Sequence, residues 1–155
     1  MNLHLNNLIT KVKQDKKIKM EAKELRLGNY VSVISDVLDP FLNDHGLEGI
    51  DNAFKVVGID SFHVNVSIDG LECEFYLYEY KPILLTEERL IKFGFERIRG
   101  AKKMTWKKTV NSNVFTYDED RYFRVNGMFV ICHHIHTLQN LYFDLTNEEL
   151  TIKQD

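Results

Sequence analysis

The sequence predicts an α+β fold, β-rich and antiparallel, in which an SH3-like or small barrel-like N-terminal sheet precedes a helix–β-meander–helix unit. Residues 62–78 alternate apolar and polar side chains on either side of Asp69-Gly70, and a second run of short strand candidates folds around Asn126-Gly127. Asx-Gly between alternating runs is the signature of a two-residue type I′ hairpin. Capping residues and 3.6-residue periodicity coincide at 86–94 and near 134–149, which places the helices.

Along the chain, Leu5, Leu8, Ile9 and Val12 fall at helical spacing before the lysine-rich stretch 11–19, and residues 1–23 read as a basic, partly helical extension. Residues 24–155 read as a single compact domain with subdomains at about 25–81 and 82–155. The runs 29–34 and 54–60 are strand candidates, rich in β-branched and aromatic residues. Between them lies a long acidic connection with Pro40, Gly46 and Gly49, which either is functional or conceals a short element.

In the first hairpin, Ile68 opposite Leu71 pairs Val66 with Cys73 and Val64 with Phe75 on a buried face. Asn65–Glu74 and His63–Tyr76 then face outward, and a slip of one residue would expose the whole apolar set. Thr86 is an N-cap, Glu87 and Glu88 suit the positive helix start, Leu85 staples to Leu90, and Gly94 closes the helix. The meander strands are expected at 104–108, 113–117, 121–125 and 128–132. A final helix over 134–145 presents Ile135, Leu138, Leu141, Tyr142 and Leu145, after which Thr146 and Glu149 form a capping box for one further turn.

Composition bounds the class. With 155 residues, 44% hydrophobic and 28% charged, the chain suffices for a core without disulfides or metal. Cys73 and Cys132 sit in apolar runs, no secretory leader is recognisable, and no stretch approaches the about 20 apolar residues of a membrane span. A cytoplasmic protein is the expectation. The formal charge of -3 argues against a globally basic nucleic-acid binder, although charges are blocked: five lysines in 11–19, five acids and no base in 27–54, six bases in 97–108.

Three segments, ELRLGNYV (24–31), PILLTEERLIKFGFE (82–96) and IHTLQNLYFDLTNEELTI (135–152), resemble a family of small uncharacterised proteins from Bacteroides-type bacteria and their phages or mobile elements. The resemblance runs from about residue 20 onward and implies a setting, not a mechanism. Such proteins commonly begin with a methionine shortly before the ELR-x-GN stretch, where Met20 stands, so residues 1–19 are either a genuine extension or a misassigned start.

Three constellations are candidate sites. His136, Gln139 and Asn140 share a helical ridge and form the candidate partner-binding set, against the alternative that they satisfy buried backbone. Arg97, Arg99, Lys102, Lys103, Lys107 and Lys108 around Trp106 could neutralise phosphates while the indole stacks on a base. Cys132, His134 and His136 are zinc-type ligands without a recognised metal spacing. No nucleophile elbow, Gly-rich phosphate loop or paired-carboxylate motif is present, and no cofactor is expected. The leading expectation is a non-enzymatic protein-binding module encoded by a phage or mobile element; nucleic-acid binding and a metal-dependent hydrolase are the alternatives.

Overall fold

The structure is a computed structural model that describes residues 20–153 apart from Glu48. The helical pattern at Leu5–Val12 and the lysine block 11–19 lie outside the described residues. The chain divides into two compact units, Met1–Ile83 and Leu84–Asp155, each built on its own antiparallel sheet.

The first unit contains β1 (Tyr30–Val33), α1 (Ser35–Asp44), β2 (Phe54–Ile59), β3 (His63–Ile68), β4 (Leu71–Tyr76) and β5 (Tyr80–Lys81). Its sheet runs β4-β3-β2-β1-β5 and curls into a half-barrel, the coarse form of the barrel-like sheet expected. The predicted hairpin register holds at every pair from His63–Tyr76 to Ile68–Leu71. Asp69 and Gly70 take φ of 49° and 81°, as a type I′ turn demands. Because β4 is an edge strand, Leu71 is left 47% exposed and Cys73 half-buried, while Val64, Val66, Ile68 and Phe75 are buried.

The acidic connection conceals α1, a ten-residue helix with Pro40 inside it. Leu38 and Leu42, one turn apart, bury against the core. Pro40 masked this helix because a proline there removes a backbone donor and usually breaks the pattern. Beyond it, the Asn52 side chain accepts from Val33 N–H and donates to Val33 C=O, both at 2.9 Å, extending the ladder of β1 in place of a strand. Met20 is 3% exposed in the same core, so among the described residues the core takes in Met20 ahead of Leu25, its expected start. Buried Tyr80 donates its hydroxyl to the Val64 carbonyl at 2.6 Å, and burial pushes its pKa up, keeping the phenol neutral.

The second unit contains α2 (Glu87–Lys92), β6 (Glu96–Arg97), β7 (Thr105–Val110), β8 (Asn113–Asp118), β9 (Phe123–Val125), β10 (Met128–Val130) and α3 (Ile135–Thr146). The meander is ordered β10-β9-β8-β7-β6. Thr86 caps α2 by accepting from Arg89 N–H at 3.3 Å. Asn126 and Gly127 (φ 50° and 81°) form the predicted turn, and Asn111-Ser112, also at positive φ, makes an unpredicted one between β7 and β8. Tyr142 of α3 packs its ring 5.2 Å from that of Phe115 on β8.

The further helical turn expected after Thr146 does not form among the described residues. Thr146 ends α3, its hydroxyl donates to the Tyr142 carbonyl at 2.7 Å, and Asn147 closes the helix in the left-handed region at φ 57°. The expected apolar face is also rotated: Leu145 is 42% exposed, while His136, Gln139 and Thr146 join Ile135, Leu138 and Tyr142 inside.

Candidate binding surface

In the second unit, β10 closes one edge of the sheet, and among the described residues no backbone hydrogen bond reaches its outer side. Its hairpin is well fixed: Asn126 accepts from Val114 N–H at 2.8 Å and donates from its side-chain amide to Asn113 at 3.0 Å. On this edge Met128 is 69%, Phe129 68% and Ile131 85% exposed. Such clustering of large apolar side chains marks interaction surfaces, whereas single exposed ones do not. The Arg124 guanidinium lies 4.3 Å over the Phe129 ring, and Tyr122 meets that ring edge-on at 5.5 Å.

Beside Phe129 and Ile131 opens an apolar cleft of about 420 Å³ that also reaches Tyr122, Cys132 and His133. A second cleft of about 430 Å³ shares Arg121, Cys132 and His133 with it and is lined by Leu85, Trp106 and Tyr117. The wall common to both is pinned by Leu85 N–H donating to His133 C=O at 2.8 Å and by the Leu84–His134 bridge.

A turn anchored by Asp118 sets Arg121 in the lining of both clefts. The Asp118 carboxylate accepts from Asp120 N–H (3.1 Å), Tyr122 N–H (3.0 Å) and the Arg124 guanidinium (2.7 Å). Burial disfavours its charge, but the Arg124 bond, the Tyr122 N–H and the remaining contacts outweigh burial and hold the carboxyl below its usual range. This frame keeps Arg121 at φ 66°, a region a non-glycine residue enters at a cost of about 1 kcal/mol.

The three constellations read from sequence lie elsewhere or turn inward. Gln139 is fully buried with its amide donating to Leu150 C=O at 3.1 Å, His136 is 4% exposed, and Asn140 is half-buried, so the ridge faces the protein's own interior. Trp106 is 2% exposed and cannot serve as a stacking platform, because β7 alternates and turns its indole to the core face while Lys107 points out. Lys103, although exposed, pairs with Asp120, half-buried Lys108 donates to the Phe93 carbonyl at 3.1 Å, and Arg97, Arg99, Lys102 and Lys107 are exposed as well.

Cys132, His134 and His136 do not converge as ligands. The Cys132 thiol donates weakly to His134 C=O at 3.9 Å, the imidazoles stack at 5.7 Å between centroids, and burial pushes the thiol up to about 12. Only Asp60, His63 and Glu74 bring three ligand-type atoms within 4.8 Å of one another among the described residues. Sequence reasoning placed a strand at 128–132 but not the exposed patch, since an apolar run reads alike in a central and an edge strand. No described helix is long and apolar enough to cross a membrane. Comparison with known proteins returns no matching family model, curated protein or solved structure.

Proposed function

We propose that this protein is a non-enzymatic protein-binding module whose second unit takes up an extended segment of a partner along the open edge of β10. The observation that carries this reading is the exposed trio Met128, Phe129 and Ile131 along a strand edge that has no backbone partner among the described residues. Added strands gain affinity from main-chain hydrogen bonds and specificity from pockets for alternate side chains. The cleft beside Phe129 and Ile131 is such a pocket, and Arg121 in its lining favours a segment that sets a carboxylate beside apolar residues. The resemblance of the 135–152 segment to proteins of phages and mobile elements supports a host or phage protein as the partner.

The test is selection of a displayed library of extended peptides on the wild-type protein, with counter-selection on Phe129→Asp and Ile131→Lys. Enrichment of alternating apolar, acid-bearing peptides that both variants fail to bind supports the proposal. Selected peptides that bind the variants equally well overturn it, as does a wild-type protein that dimerises through this edge.

A further inference from the structure

We infer that the first unit carries a site for a divalent transition-metal ion, formed by Asp60, His63 and Glu74. Asp60 stands in the turn between β2 and β3, His63 begins β3, and Glu74 comes from β4 across the hairpin. Their ligand-type atoms lie within 4.8 Å of one another. The His63 Nδ1 to Asp60 Oδ2 separation is 3.3 Å. Two donors bound at ordinary zinc distances in tetrahedral geometry stand about 3.3–3.6 Å apart, so this pair has a chelating spacing. Glu74 is exposed, and its carboxylate already lies within 4.8 Å of both other donors.

The neighbours hold these ligands as a metal site would. Asp60 Oδ1 accepts from Phe62 N–H at 2.7 Å and His63 N–H at 2.8 Å, which fixes the carboxylate and turns Oδ2 toward the imidazole. Those two backbone bonds are the largest of the influences that lower the Asp60 carboxyl and keep it ionised. The His63 ring is held 4.8 Å from that of Tyr76, which stacks in turn on Tyr78 at 5.3 Å. Supporting contacts of this kind orient metal ligands and sharpen affinity.

Charge points the same way. Among the described residues no lysine or arginine pairs with Asp60 or Glu74, and Asn65 donates to Glu72 rather than to Glu74. Two carboxylates beside an imidazole with no basic partner form a cation site, and the nitrogen donor favours zinc-like ions over calcium or magnesium. Three protein ligands leave one position of a tetrahedral zinc-type site for water or another ligand.

The experiment is a titration of the purified full chain with Zn²⁺ against a chromophoric chelator, accompanied by thermal melts. One equivalent is expected to bind and to raise the melting temperature. His63→Ala and Glu74→Gln should each weaken binding at least about tenfold and abolish the zinc-induced rise in melting temperature measured against the same variant without metal. His134→Ala, which tests the cluster near Cys132, should leave binding intact. Absence of stoichiometric zinc in the wild type overturns the inference. So does zinc binding that survives both His63→Ala and Glu74→Gln, or that His134→Ala removes.

Discussion

Gln139 donates its side-chain amide to the main-chain carbonyl of Leu150 at 3.1 Å, and both residues are buried. This bond ties the irregular segment after α3 back onto the helix and makes Gln139 a fastener of the C-terminal chain. Gln139→Ala should therefore reduce stability by roughly 1–3 kcal/mol through an unsatisfied buried carbonyl. Urea unfolding would measure it, and a loss within error of zero would return the ridge to a surface role.

Asp118 should make stability depend on acidity. Its carboxyl is held below the usual range, so around pH 4 the unfolded chain binds more protons there than the folded one. The contribution is complete above an ordinary aspartate value of about 4 and is lost as the pH falls toward the lowered one. Asp118→Asn should cost roughly 2–4 kcal/mol near neutrality, with the gap from wild type narrowing in acid. Denaturant titrations at pH 7 and pH 3 would show this, and a constant gap would contradict it.

Cys132 should be chemically silent in the folded protein. Burial lifts its thiol to about 12, so almost none is thiolate at pH 8. Alkylation there should be more than about 100-fold slower than in urea, and slower than at half-buried Cys73. Mass mapping after timed iodoacetamide treatment distinguishes the two sites; equal native rates would mean that the segment near His133 opens readily.

The Asn126-Gly127 turn should govern the order of the exposed edge. Gly127→Ala places a side chain at φ 81° and should cost about 1–2 kcal/mol. Asn126→Ala removes the contacts to Val114 and Asn113 as well. In either variant the amide protons of β10 should exchange faster with solvent than those of β3, whose own Asp69-Gly70 turn is untouched. Unchanged exchange would show that β10 does not depend on its turn.

The sequence by itself determined whatever rests on neighbours along the chain. The register from His63–Tyr76 to Ile68–Leu71 follows from period-two alternation and the turn dipeptide, and α2 follows from Thr86, its acids and Gly94. Tertiary structure decided what depends on which other element lies alongside. Leu38 and Leu42 find a core that sustains α1 despite Pro40, and Leu150 receives the amide of Gln139, turning a polar ridge inward. Trp106 is drawn to the core face, although six cations surround it in sequence. Met128, Phe129 and Ile131 stay exposed because the meander ends at β10 and no further strand among the described residues covers it. Asp60 and Glu74 meet across a hairpin, fourteen positions apart, at a spacing that no motif encodes. Turn and cap chemistry acts within a few residues, whereas burial and edges are set by the whole sheet.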